Sequence, residues 1–267
     1  MPFVKRHALT LGIALMFLLT WPFYAQLGLF VGYGLSIACL ILTGLAEGRA
    51  GIGSLLRRFL LWRVAIGWYF AALGGPLMLY AGALALYLLV GGEPVSSADS
   101  LAASLFGPSD HLWLYFVPFL LVDALSNGEE LAWRGFVLPR YQARFSALLS
   151  SLFLGILWGI WHLPRYLPSG DGAGFGFAIF HNLAVAVLFT WLYNGTGGSL
   201  LLATLLHAGL NTAYIFLPVA PAAGGGAMMQ ASVLALEALA AAAVVLIYGP
   251  RTLSRRAVIQ ASDTTLS

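Results

Sequence analysis

The sequence is short of charge. Asp, Glu, Lys and Arg together make up 9 % of its 267 residues, where a soluble globular domain carries roughly a quarter. Sixty per cent of the residues are hydrophobic and the mean hydropathy is +0.89, so the solvent of such a chain is largely lipid. Cysteine is almost absent as well. The single one, Cys39, lies in an apolar run; it excludes a disulfide framework and a cysteine-based metal site, and reads as a small buried hydrophobe. No internal repeat, soluble domain or low-complexity segment stands out beyond a short polar C-terminus. The net charge of +3 is small, and no nucleic-acid partner is expected.

What the chain has instead is long apolar runs. A helix needs about 20 apolar residues to cross a bilayer core, and that window selects 8–26, 28–46, 64–91, 112–138, 147–164, 175–193, 199–217 and 229–248. The expectation is an all-α, polytopic bundle of about eight spans, forming a single integral membrane domain over residues 1–267 with a polar tail from about 250. Lys5 and Arg6 followed by an apolar run look superficially like a secretory signal. The run from Ala8 is too long, however, and no small-x-small cleavage site follows, so it reads as an uncleaved first span. Leu55 to Arg63 is short, basic and aromatic, and is expected at the interface before the third span. Of the thirteen Lys and Arg residues, twelve fall in or toward segments on the N-terminal side and only Arg165 falls opposite. The loop from Gly91 to Asp110 holds three acids and no cation. The positive-inside rule therefore puts both termini in the cytoplasm.

Ionisable side chains inside spans are costly and face the bundle interior, where they are functional by default. Three groups have informative spacing, within a core of about 112–217. Glu129 and Glu130 point about 100° apart on a helix and cannot share one environment. Glu130 and Arg134, at i and i+4 with the acid first, suit an ion pair, which leaves Glu129 as an unpaired carboxylate fit for general-base work. The same stretch also reads as an ordinary cytoplasmic helix end. Trp158 sits one turn before His162 and can pack under its imidazole, or both can belong to an outer aromatic belt; Gly155 and Gly159 allow a neighbouring helix to approach closely. His207 and Asn211 share one helix face, so both can donate to one small object such as an oxyanion. If the fourth helix runs on to Pro139, a rise of 1.5 Å per residue puts Glu129 about 15 Å, His162 about 22 Å, and His207 and Asn211 about 12 and 18 Å from the inner end, so the three groups overlap in height. A helix ending at Asn127 would strand Glu129 at the surface. Asp123, His181, Asn182 and Glu237 receive blander readings: cavity lining for Asp123, interhelical hydrogen bonding for His181 and Asn182, and no role for Glu237. Gly224 to Gly226 is read as a loop.

Glu-Glu-x-x-x-Arg, aromatic-x-x-x-His and His-x-x-x-Asn, in that order on separate spans between Asn127 and Thr212, resemble the CPBP family of intramembrane proteases, which includes the CAAX prenyl endopeptidases. Trp158 departs from that pattern, which more often has Phe. The resemblance implies a hydrolase in which Glu129 and His162 activate a water. His207 and Asn211 would stabilise the oxyanion, with Glu130, Arg134 and Trp158 in support. It also implies an integral protein of a prokaryotic inner membrane, in contact with lipid. Its substrate would be a membrane-associated peptide or protein, lipidated or CAAX-like in the family's manner, entering laterally or from the cytoplasm. Zinc stays open beside the glutamate mechanism, because Glu129, His162 and His207 would supply three ligands and leave a fourth position for water; no HExxH spacing supports it. A proton- or cation-coupled transporter is the alternative from another class, although it usually brings an internal repeat. A non-catalytic scaffold would show degraded motifs, whereas every key polar position here is filled.

Overall fold

A computed structural model describes residues 2–27, 32–220 and 225–256. The start of the expected second span, Gly224 of the expected Gly224 to Gly226 loop and residues 257–267 of the polar tail lie outside the described residues, while Gly226 already opens the last helix. The elements that matter are α1 (Pro2–Leu27), α2 (Gly32–Arg57), α3 (Ile66–Leu89), α4 (Leu112–Ser126), α5 (129–142), α6 (Ala147–Trp161), α7 (Gly172–Gly195), α8 (Leu200–Phe216) and α9 (Gly226–Tyr248). The chain is a polytopic helical bundle. Among the described residues six helices (α1, α2, α3, α6, α7 and α9) are long and apolar enough to cross a membrane, while α4 and α8 are shorter apolar helices. Leu89, Leu125 and Leu246 keep 80 % or more of their surface exposed, as side chains turned toward lipid do.

The expected fourth span is not one helix. It stops at Ser126, Asn127 is extended (φ −78°, ψ 102°), and a new helix starts at Glu129. The cause is local. Asn and Gly are turn residues, and the Asn127 carboxamide oxygen accepts from the Glu129 N–H at 2.9 Å, meeting one donor that a new helix leaves without a partner. The broken ladder is braced by α2: the Tyr33 hydroxyl donates to the Leu125 carbonyl at 2.6 Å, and the Ser36 hydroxyl donates to the Gly128 carbonyl. A Cβ on Gly128 would sit 2.8 Å from the Gly32 carbonyl, so only glycine lets the two chains come this close. Further along, Cys39 meets the Leu131 carbonyl and Glu47 pairs with Arg140 at 2.6 Å. Contacts at near-constant sequence offset mean that α4 and α5 run alongside α2 in the same direction and together make one passage.

The rest of the frame is set by small residues and aromatics. Cβ atoms at Gly155 and Gly159 would meet the backbone of α7 at 2.8 Å (Asn182 and Leu183) and 3.1 Å (Ile179), which confirms α6 and α7 as a close-packed pair. Trp133, Phe136, Trp161, Phe189 and Tyr193 are fully buried at the centre. Residues 133–137 form a π-helical turn within α5, a local widening that often accompanies functional positions.

Candidate active site

The carboxylates of α5 lie in the first turn of that helix, where the unpaired N–H groups and the positive end of the dipole favour negative charge. Glu130 and Arg134 form the expected ion pair at 2.9 Å, with both side chains fully buried. The guanidinium carbon lies 4.4 Å from the centre of the Trp158 ring and 3.8 Å from that of Phe189, so the cation is enclosed by aromatic faces. Arg134 therefore belongs to the interior and not to the cytoplasmic cations among which its position in the sequence placed it. His207 Nδ1 donates to the same Glu130 oxygen at 2.7 Å.

Glu129, one residue earlier, faces a different environment, as the 100° offset requires. It is not the unpaired carboxylate expected from spacing. Its Oε2 accepts from Trp133 Nε1 at 3.2 Å and from Trp158 Nε1 at 2.8 Å, and its Oε1 stands 4.0 Å from His207 Nε2. Trp158 is correspondingly not stacked under His162: the two rings are 6.2 Å apart and tilted, while His207 is closer at 5.5 Å. Where the motif more often has Phe, this chain has a side chain that adds an N–H donor to the glutamate.

The break after α4 does not strand Glu129 at the surface. The break itself lies inside the bundle, against α2, and α5 starts level with the middle of α8. The three motifs thus border one cavity although the fourth span is broken where one continuous helix was expected.

His162 caps the C-terminal end of α6, and its Nδ1 donates to the Trp158 carbonyl at 2.9 Å, so a neutral ring carries its lone pair on Nε2. Asn211 follows His207 by one turn, and Gly209 between them lets α3 approach, since a Cβ there would lie 2.6 Å from the Ala72 carbonyl. The two side chains do not converge on one point, however. The Asn211 amide donates to both oxygens of Asp123 at 3.2–3.3 Å. Trp158, His162, His207 and Asn211 all line one cavity of about 530 Å³, and Glu129 touches that lining through Trp158 and His207.

Trp133 escaped sequence reasoning, although it sits at i+4 from Glu129, a spacing that would have revealed it. Asp123, expected only to line the cavity, holds Asn211 from another helix, with no local signal. The interhelical hydrogen bond expected of His181 is present, to Glu237 of α9 at 2.8 Å on the cavity wall. Asn182, expected to bond a neighbouring helix, turns back instead to its own at the Ala178 carbonyl.

A catalytic zinc needs three protein ligands on one point. Among the described residues no three His, Cys, Asp or Glu side chains are so grouped. Glu129, with one oxygen occupied by two indoles, and His207, with Nδ1 on Glu130, do not form such a set with His162. The zinc-ligand reading of these residues is therefore corrected, and no step below passes through a metal.

Residues 109–213 match the type II CAAX prenyl endopeptidase Rce1-like family, and that stretch contains Glu129, Glu130, Arg134, Trp158, His162, His207 and Asn211. Over this segment the chain is similar to the Rce1-like family. One curated relative, a CAAX prenyl protease 2 of Methanococcus maripaludis, is 30 % identical over 106 residues, which cover 36 % of this chain and 39 % of the relative. The chain thus matches well under half of that relative's length. The matched segment holds α4 to α7 and α8 as far as Ala213, whereas α1 to α3 and α9 lie outside it; from there come the α2 brace at Gly128 and the Glu237 partner of His181.

Proposed function

We propose that the chain is an intramembrane endopeptidase that hydrolyses a peptide bond of a membrane-associated substrate with a glutamate-activated water. One observation carries the reading: Glu129 Oε1 and His207 Nε2 face each other across 4.0 Å beside the cavity. That gap is too long for a hydrogen bond and suits one oxygen atom in contact with both at about 2.8 Å.

In the proposed reaction Glu129 takes a proton from the water while the water oxygen bonds to the peptide carbonyl carbon. The Trp133 and Trp158 N–H groups hold Oε2, which keeps Oε1 turned to the gap. His162 accepts the second water hydrogen at Nε2 and orients the lone pair for attack. The carbonyl oxygen becomes an oxyanion, stabilised by His207 and by the Asn211 amide as it turns from Asp123. His207 donates from Nε2 while its Nδ1 stays on Glu130, whose carboxylate Arg134 balances. The C–N bond then breaks, Glu129 returns its proton to the leaving amine, and a carboxylic acid and an amine result.

The test uses the purified protein in nanodiscs with a panel of membrane-anchored peptides, lipidated CAAX-like ones included. Wild type should cleave at least one of them, and Glu129→Gln, His162→Ala and His207→Ala should each lose cleavage while retaining a cooperative thermal transition. Full activity in folded Glu129→Gln protein would sink the mechanism.

A further inference from the structure

We infer that the cavity opens on the extracytoplasmic face, so that its substrate is a peptide segment already on the outer side of the membrane. The word substrate rests on the peptidase reading above; the placement of the opening does not.

The mouth of the cavity is formed by Arg165, Ser169 and Asp171 in the connection from α6 to α7, by Gly174 at the start of α7, and by Ala227 and Gln230 at the start of α9. All of these belong to one end of the bundle. The connection from α3 to α4, with Glu93, Asp99 and Asp110 and no cation, packs against Ile215 and Phe216 at the end of α8 and so lies at that end too. At the opposite end a second cavity is lined by Lys5, Arg6, Arg140 and Arg144 beside Glu47. The Ala147 N–H at the start of α6 bonds the Arg251 carbonyl there, which ties the basic segment after α9 to the same face. Apart from the buried Arg134, every Lys and Arg of the chain other than Arg165 lies at or toward this second end. Cations concentrate on the cytoplasmic side of membrane proteins, so the cation-rich end is inside and the mouth is outside.

The interior agrees with this direction. His162 terminates α6 near the mouth, and His207 and Asn211 lie beneath it on α8. A peptide entering at Arg165 therefore meets His162 first and the Glu129–His207 gap deeper in. A route from the cytoplasm, which the resemblance suggests, would have to pass the closed packing of Trp133, Phe136 and Leu138, all fully buried.

The experiment reads orientation separately from activity. In a Cys39→Ala background, which removes the only cysteine, Ser169→Cys marks the mouth and Ala143→Cys marks the second cavity; both native side chains are exposed. A membrane-impermeant maleimide is added to right-side-out and to inverted membrane vesicles. The expected result is Ser169→Cys labelled at least tenfold more in right-side-out vesicles, with Ala143→Cys showing the reverse. Labelling of Ser169→Cys mainly in inverted vesicles, or equally in both, would overturn the inference. In a second arm, wild-type vesicles receive a membrane-tethered fluorogenic peptide on one face at a time. Cleavage of the externally added peptide supports the inference, and cleavage confined to the Ala143 side overturns it. The expected labelling without cleavage on either face would leave the opening where it is placed and count against the peptidase.

Discussion

Two histidine–glutamate pairs flank the same cavity, and nearly identical geometry gives them different prospects. His207 meets Glu130 at 2.7 Å and His181 meets Glu237 at 2.8 Å, each through Nδ1 and each with a fully buried carboxylate. Around the first pair the chain assembles Arg134, Glu129 and two indole donors. Around the second it supplies the Tyr80 phenol, and among the described residues Glu237 forms no ion pair with a Lys or Arg. A buried charge needs a counter-charge. The first pair has Arg134 against its carboxylate; the second, with no such cation among the described residues, amounts to a hydrogen bond joining α7 to α9. Distance alone does not make a histidine–carboxylate pair catalytic. The charges behind it do.

Breaking the compensation should have the largest effect. Arg134→Met leaves Glu130 buried without its cation and should cost about 3–5 kcal/mol of stability, whereas the double variant Glu130→Gln/Arg134→Met should recover most of it; thermal unfolding in nanodiscs measures both. His207→Ala should lower the cleavage rate by about 10²–10³, the usual loss for one oxyanion donor. His181→Ala should instead lower stability by about 1–3 kcal/mol, by removing the imidazole donor from a buried carboxylate, and leave cleavage near wild type. A cleavage loss equal to that of His207→Ala would erase the distinction between the pairs. Trp158→Phe restores the ring more usual in the motif and removes one of the two indole hydrogen bonds to Glu129, so that Trp133 still holds the carboxylate and the loss should stay below about 1.5 kcal/mol. Its signature should be a fall in kcat with little change in KM.

Much of this was legible in the chain itself. Hydropathy gave the helical passages, and i,i+4 spacing gave the Glu130–Arg134 pair and the shared face of His207 and Asn211. The broken passage was hidden because a window over 112–138 averages across Asn127–Gly128, although Asn-Gly is a strong turn signal when seen alone. Partners far apart in sequence were out of reach: Asp123 and Asn211 are separated by 88 residues, and His181 and Glu237 by 56. Nothing in local periodicity encodes which helices become neighbours. Depth arithmetic could bring three motifs to one level but could not orient side chains, so the indoles on Glu129 and the diversion of Asn211 to Asp123 appear only once the helices are packed. The side on which the cavity opens needed both sources, cations from the sequence and lining from the structure.

The central claim is that Glu129 is the base and that its neighbours, not burial, make it so. The direct test applies one substitution to two acids that each hold a histidine of the same cavity wall: the cleavage rates of Glu129→Gln and Glu237→Gln, each shown to be folded, are compared with wild type. The account predicts a loss of about 10²–10⁴ for Glu129→Gln, the range of a general base, and a rate near wild type for Glu237→Gln. Cleavage that survives in Glu129→Gln, or falls equally in both, would contradict it.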